Sequence, residues 1–154
     1  MRCTISQAKG PQSVFNQALQ HLRQGEPRLA NNLCDQGLIQ YPNDANILCL
    51  NAQAHIAAKN LEAAHANVSK ALKTHPDFAT AHEVYSDLLL IEGKFEQAIG
   101  GYQHALKLAP DRSRINSKIE RGKQLLQSLD SDSQEPLNDL AFNKELAQAR
   151  QHKA

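Results

Sequence analysis

The fold is decided by the stretch AIGGYQHALKLAP, residues 98–110. Its first Ala is followed by an apolar residue after four positions, a small residue after seven, Leu after eight and Pro after twelve. The same offsets recur in ANNLCDQGLIQYP, residues 30–42, and in AHANVSKALKTHP, residues 64–76, so that the three prolines stand 34 residues apart. Three matched registers at a constant period indicate an internal repeat built from helices.

This pattern resembles the tetratricopeptide repeat family, whose units are 34 residues long. The resemblance places repeats at 11–44, 45–78 and 79–112, followed by a capping helix at 113–129. It implies an all-α fold, a right-handed superhelical solenoid of antiparallel helix pairs that ends in a C-terminal capping helix. The small residues that the family has at its eighth, twentieth and twenty-seventh positions are matched by Ala18, Ala30, Gly37, Ala52, Ala64, Ala71, Ser86, Ala98 and Ala105.

Two further family positions hold bulky residues and are matched less well. The twenty-fourth position is occupied by Cys34 in the first repeat, which we expect to be a small core residue. The seventh position is polar in the first two repeats, at Gln17 and Asn51, and only Tyr85 in the third repeat fits. The first repeat is therefore the weakest, as terminal repeats often are.

Turn residues stand where each pair of helices needs a break. These segments are QGEP at 24–27, AKN at 58–60 and EGK at 92–94. We expect Gly25, Asn60 and Gly93 to adopt the left-handed conformation that ends the first helix of each pair. The proline at the end of each repeat then terminates the second helix, because it cannot continue an established hydrogen-bond ladder.

The predicted capping helix has one apolar side and a basic remainder. Ile115, Ile119 and Leu126 face one way. The other positions include Arg114, Lys118, Arg121 and Lys123. Such a helix is expected to cover the apolar face that the last pair of a solenoid exposes. The alternative is a nucleic-acid patch, but little aromatic interleaving accompanies these four basic residues.

The last residues form a separate unit in this interpretation, 130–154. The sequence DSDSQE at 130–135 predicts an acidic linker, and Pro136 suits the first turn of a short amphipathic helix. This helix is predicted to be either a loosely docked tail or a segment that binds the protein's own groove or a partner's.

Composition limits the classes of protein that the chain fits. Seventeen Lys and Arg against sixteen Asp and Glu give a net charge of +1, so no global field favours nucleic acid or an anionic membrane. Three Cys without a CxxC pair argue against a disulfide framework and favour a reducing compartment. No run predicts a membrane span or a signal peptide. We expect a cytoplasmic protein with a flexible N-terminal segment at 1–10.

Motifs for catalysis, for a cofactor or for a metal site are not found. The sequence has no phosphate-binding loop, no GxGxxG after a strand and no GxSxG. His82 and Glu83 begin a zinc-peptidase pattern, but Ser86 stands where the second His would be needed one helical turn on. We therefore predict that the chain is not an enzyme and binds no cofactor.

The family resemblance also implies a binding surface. In the family, positions two, five, nine, twelve and thirteen of each repeat commonly point into the concave surface that the first helices line. Carried over, and joined by two Arg of the capping helix, they give a predicted partner-binding groove of Phe15, Leu19, Leu22, Arg23, Asn46, Cys49, Gln53, Ile56, Thr80, Glu83, Asp87, Leu90, Arg114 and Arg121. Cys49 is expected to be partly exposed there.

One family subset holds the carboxylate-ended tails of chaperones with Lys, Asn and Arg side chains. The corresponding places here are Phe15, Leu19, Leu50, Thr80 and Val84, so this clamp is absent. The function predicted from the sequence is a non-catalytic interaction module, an adaptor or scaffold, that binds a peptide or a helical segment of a protein partner. The alternatives are a small secretion-type chaperone for one client and a regulatory fragment of a larger enzyme. A homodimer through the apolar tail or the weak first repeat is also open.

Overall fold

The structure, a computed structural model, describes residues 10–133. Within that range the chain forms seven helices and no strand. The helices are α1 (Pro11–Arg23), α2 (Pro27–Gln40), α3 (Ala45–Ala57), α4 (Leu61–Thr74), α5 (Ala79–Ile91), α6 (Phe95–Leu108) and α7 (Arg114–Ser133). Neighbouring helices pack together along the chain, which confirms the predicted all-α solenoid.

The turn within each helix pair has the same hydrogen bonds in all three repeats. The backbone N–H of Glu26 donates to the carbonyl of His21 at 2.9 Å, and that of Gly25 donates to Leu22 at 3.1 Å. The residues 34 and 68 positions further on repeat both bonds. This pair of bonds is the Schellman motif, which satisfies the last carbonyls of a helix and needs one residue with positive φ.

The left-handed residue of the second repeat is Lys59, and the prediction of Asn60 was wrong. Gly25, Lys59 and Gly93 have φ angles of 78°, 61° and 79°. Asn60 begins the next helix instead: its side chain accepts a hydrogen bond from the backbone N–H of Ala63 at 3.2 Å. An N-cap bond of this kind satisfies one of the free donors at a helix start.

The turn that follows each second helix is set by the proline. The preceding residue, which is Tyr41, His75 or Ala109, ends the helix with ψ angles of 67°, 77° and 81°. Such values lie outside the α region, as steric contact with a following proline requires. Each of these residues still donates its N–H to the carbonyl four positions back, at 2.8 to 3.0 Å. The prolines therefore terminate the helices as predicted.

The small residues at the repeat positions lie where helices approach most closely. All nine of them are buried, including Gly37. A Cβ added at Gly37 would stand 2.6 Å from Cγ1 of Val14 on the facing helix. At this separation a larger side chain would push the helices apart. The spacing of small residues is thus a packing requirement.

The core consists of three clusters that follow one another along the solenoid. Each contains one twenty-fourth-position residue, Cys34, Val68 or Tyr102, and each of these is fully buried. Asn51 at a seventh position is also buried, and its Nδ2 donates to Oδ1 of Asp35 at 2.9 Å. This bond links α3 to α2 at a position where the family has a bulky residue.

α7 caps the last pair and is longer than predicted. Ile115 and Ile119 are buried against α5 and α6 in the third cluster, while Leu126 is half-buried. The helix continues to Ser133, so the first four residues of the predicted linker at 130–135 are helical. The helix predicted after Pro136 and residues 1–9 lie outside the described range. Between residues 10 and 133, no helix is long and apolar enough to cross a membrane.

The contact between α5 and α6 gives a prediction on packing. A Cβ at Gly101 would overlap Oγ of Ser86, whereas a Cβ at Gly100 would meet nothing within 4 Å. We expect Gly101→Ala to lower the free energy of unfolding by about 1–2 kcal/mol, and Gly100→Ala to raise it by about 0.5–1 kcal/mol. Urea unfolding followed by circular dichroism measures both. Ser86→Ala should restore most of the loss in the Gly101→Ala background, and equal effects of the two single changes would contradict the account.

The positive φ of Lys59 gives a second prediction. A side chain in the left-handed region is strained, and Gly at this position relieves the strain. We expect Lys59→Gly to raise the free energy of unfolding by about 0.5–1 kcal/mol, after allowing for the entropy of Gly in the unfolded chain. The reciprocal change Gly93→Lys should lower it by about 1 kcal/mol. Thermal unfolding measures both variants. A Lys59→Gly variant that is less stable than the parent would contradict the strain assigned to Lys59.

Candidate functional site: the inner groove

The first helices of the three pairs form one continuous face. α1 contacts α3, and α3 contacts α5. A depression of about 270 Å³ lies on this face, between α1 and the start of α7. It is lined by Phe15, Leu19, Arg23, Asn46, Cys49, Leu50, Gln53, Thr80, Arg112 and Arg114. Eight of these ten residues belong to the groove predicted from the sequence, and we call this depression the central depression.

A second depression of about 340 Å³ lies further along α3 and α5. Its lining is mainly apolar and consists of Gln53, Ile56, Asp87, Leu90 and Ile91. Ile91 is 53 % exposed. Because Gln53 lines both, the two depressions adjoin, and together they are called the inner groove.

Four of the predicted groove residues are placed differently. Cys49 is 1 % exposed, so the expectation of an exposed thiol was wrong; it forms part of the floor. Glu83 is 3 % exposed and lies beneath the surface. Leu22 packs against the cluster around Cys34. Arg121 lines a separate depression on α7.

Neither described cysteine is suited to nucleophilic chemistry. Burial raises the pKa of Cys34 to about 12, and the nearby carboxylate of Asp35 adds to the shift. Burial likewise raises the pKa of Cys49 to about 12, against the opposing effect of Arg112. At neutral pH both remain thiols, whereas the thiolate is the reactive form.

Glu83 joins the groove to the capping helix. Its Oε2 accepts from Nη1 of Arg112 at 3.3 Å and from Nη2 of Arg114 at 3.2 Å. Its Oε1 pairs with Nζ of Lys118 at 2.9 Å. Burial alone would raise the pKa of Glu83, but Lys118 and Arg114 outweigh it and hold that pKa below its ordinary value. The carboxylate is therefore charged at neutral pH and fixes three cations at one end of the groove.

Asp87 extends this network one turn further along α5. Both of its oxygens accept from Nζ of Lys118, at 2.9 Å each. The hydroxyl of Tyr102 donates to Oδ1 of the same carboxylate. Burial and this bond raise the pKa of Tyr102, so it stays a neutral donor. Asp87 thus joins α5, α6 and α7.

Three residues of the site were not among the predicted groove residues. Leu50 precedes Asn51 on α3 and lines the central depression. Arg112 lies in the turn before α7, and Lys118 was assigned to the outer, polar side of the capping helix. The repeat pattern gives no register for the cap, because α7 has no partner helix. The sequence does contain one indication of the role of Lys118. Glu83 and Asp87 lie one turn apart on α5, and two carboxylates on one helix face favour a cation beside them.

No group of three or more His, Cys, Asp or Glu between residues 10 and 133 is arranged to hold a metal ion. His82, the residue that begins the zinc-like pattern, has Nε2 2.6 Å from the carbonyl oxygen of Pro76. Its ring also packs edge-on against that of His104, with 4.5 Å between the centroids.

The network predicts how stability depends on pH. Because the folded pKa of Glu83 lies below its ordinary value of 4.5, its stabilising effect is complete above that pH and is lost as the pH falls through the folded pKa. We expect Glu83→Gln to lower the free energy of unfolding at pH 7 by about 1–3 kcal/mol, and this difference to shrink below pH 4.5. Urea unfolding of the parent and the variant, measured at intervals of about 1 pH unit from pH 3 to 7, gives this difference.

Glu120→Gln is the matched control, since within the described helices Glu120 pairs with Lys123 alone, on the exposed side of α7. Its stability should follow that of the parent at every pH. A Glu83→Gln variant whose loss stayed the same throughout acid titration would contradict the role given to the carboxylate.

The fold is similar to those of several solved repeat domains. The first TPR domain of the human RPAP3 protein superposes with a TM-score of 0.71 at 17 % identity, over 79 % of this chain and 95 % of that one. The Sgt2 TPR domain from Aspergillus fumigatus gives 0.70 at 15 % identity, over 79 % and 82 %. The first TPR of Spaghetti (RPAP3), bound to the HSP90 peptide SRMEEVD, gives 0.67 at 17 % identity, over 78 % and 95 %.

A family model identifies the repeat in the sequence itself. The tetratricopeptide repeat model matches residues 49–113, which span the third repeat and most of the second. The first repeat lies outside this match, yet α1 and α2 form the same kind of helix pair with the same turns. Residues 49–113 thus match the tetratricopeptide repeat family, and the described part of the chain has the fold of solved tetratricopeptide repeat domains.

Proposed function

We propose that the chain is a non-catalytic interaction module that binds a segment of a partner protein in the inner groove. The observation that carries this proposal is the pair of adjoining depressions along α1, α3 and α5. Apolar side chains in them, such as Leu19, Ile56 and Leu90, are only half-buried. A groove of apolar pockets with a few polar groups suits a peptide or an amphipathic helix.

Solved domains with a similar fold support a peptide as the class of ligand. The solved Spaghetti domain holds a peptide of HSP90, and the second TPR domain of human RPAP3 holds a peptide of HSP70. The four clamp positions of the first and third repeats are Phe15, Leu19, Thr80 and Val84 here, which argues against the same chaperone tails as ligands. We therefore propose that this chain, like those domains, binds a peptide, and we do not propose HSP90 or HSP70 as its partner.

An adaptor and a chaperone dedicated to one client would both use this groove. For the chaperone, the client would fold or stay soluble only when the complex forms. Co-expression of a recovered partner with and without this chain separates the two, because an adaptor's partner would be equally soluble in both cases.

The groove is tested by two isoleucines that are both exposed. Ile91 lines the apolar depression, while Ile39 on α2 is 82 % exposed and lines neither depression of the inner groove. We expect Ile91→Glu to weaken partner binding at least about tenfold, because a carboxylate there stays hydrated and lies near Asp87. Ile39→Glu should leave binding unchanged.

Partners are first identified by crosslinking and mass spectrometry of proteins that co-purify with the parent chain. Isothermal titration calorimetry with the recovered partner then gives the affinity of each variant, and circular dichroism confirms that helicity is retained. Equal binding by the parent and by Ile91→Glu, with loss in Ile39→Glu, would overturn the proposed groove.

A further inference from the structure

The central depression carries an uneven charge. Arg23, Arg112 and Arg114 line it, and none of its ten lining residues is acidic. The uncharged polar groups beside them are Asn46, Gln53 and Thr80. The chain as a whole has a net charge of only +1, so this concentration of guanidinium groups is a local property of the groove.

The three guanidinium groups retain free donors. Arg23 makes no ion pair or side-chain hydrogen bond to any residue from 10 to 133. Arg112 and Arg114 each use a single nitrogen to contact Oε2 of Glu83. A guanidinium has five N–H donors, so most of them remain available to a ligand.

The neighbouring carboxylates leave part of the positive charge unbalanced. Four cations, Arg23, Arg112, Arg114 and Lys118, accompany two carboxylates, Glu83 and Asp87. Lys118 bridges both carboxylates, and Glu83 is 3 % exposed. Glu83 therefore positions Arg112 and Arg114 from below, while the charged side chains that line the central depression are all positive.

Two other depressions adjoin the central one. A third depression shares Leu19 and Arg23 with it, and the apolar depression shares Gln53 with it. A bound segment can therefore extend beyond the central depression. Such a place suits the side chain of a residue within a segment that passes through, more than the end of a chain.

The displacement between the two depressions limits the ligand. On α3 and α5, the residues that line the central depression and those that line the apolar depression are displaced by roughly 5 to 9 positions, or about 7–14 Å at 1.5 Å per helical residue. An extended segment covers that distance with about two to four residues.

We propose that the inner groove binds an internal, extended segment of a partner protein that carries an acidic residue and, two to four positions away, a large apolar residue. The acidic side chain is held by Arg23, Arg112 and Arg114, and the apolar side chain contacts Ile56, Leu90 and Ile91. This inference rests on the proposed function and specifies the chemistry of its ligand.

The test uses synthetic peptides with blocked ends, so that only side chains are charged. Each peptide of about ten residues has one Asp or Glu and one Leu or Phe at a separation from one to seven; matched peptides have Asn, Gln or Lys instead of the acid. Binding to the full chain is measured by fluorescence polarisation. We expect acidic peptides with a separation of about two to four to bind at least about tenfold more tightly than their amide counterparts.

Arg23→Gln is the decisive variant, because Arg23 has no ion pair with any residue from 10 to 133 whose loss could disturb the described fold. We expect it to weaken binding of the acidic peptides about fivefold to tenfold and to leave the amide peptides unchanged. The matched control Arg28→Gln removes an exposed arginine of α2 that lines none of the three depressions. Thermal unfolding should be the same for both variants and the parent.

The outcomes separate this inference from the proposed function. Neutral or basic peptides could bind best, with their binding weakened by Ile91→Glu and not by Arg23→Gln. That result would support the groove as the binding site and contradict the acidic residue of the ligand. If neither Ile91→Glu nor Arg23→Gln weakens peptide binding, the proposed groove is wrong as well. If a blocked peptide with the sequence of residues 135–146, EPLNDLAFNKEL, outcompetes every other peptide, the occupant is this chain's own C-terminal segment and a partner ligand is contradicted.

Discussion

The close contact between small residues on paired helices is the constraint on which the rest of the structure depends. Ser86 and Gly101 face each other where α5 and α6 approach, and Gly37 leaves no space for a Cβ beside Val14. Because the helices of each pair are held so close, successive pairs stack at a regular interval. The first helices then line one face, and the depressions of the inner groove are the spaces between their larger side chains.

The sequence predicts the features that are local and periodic. The offsets of Ala98, Tyr102, Ala105 and Pro110 repeat three times, so the helix pairs, their packing residues and the ends of the second helices could all be derived from one register. Seven of the residues that line the central depression follow from the same register. These features depend on the neighbours of a residue within its own repeat, and the repeat keeps those neighbours constant.

Features that depend on contacts between repeats could not be derived in this way. Lys59 is not one of these features: it stands 34 residues from both Gly25 and Gly93, so the register itself indicates its left-handed conformation, although Asn60 next to it tolerates that conformation better. Cys49 is buried because it packs with Ala81, Val84 and Leu88 of the next repeat, which a single repeat does not reveal. The cations around Glu83 come from α7 and the turn before it, where the repeat pattern has ended.

The capping helix therefore has two roles in this account. Its apolar residues, Ile115 and Ile119, cover the last pair of helices. Its first turns, with Arg114 and Lys118, contact carboxylates of α5 and give the groove much of its charge. The packing of α7 against α5 and the charge of the binding surface are thus coupled through Glu83. A change that displaces α7 would also change the positions of the charged groups in the groove.

The central claim is that a partner lies in the inner groove, and site-specific photocrosslinking tests it most directly. Gln53 lines both depressions, whereas Gln103 is exposed on α6 and lines neither. With a photoreactive amino acid at one position or the other, the account predicts crosslinks to the partner from position 53 and none from position 103. Crosslinks from position 103 alone would contradict it.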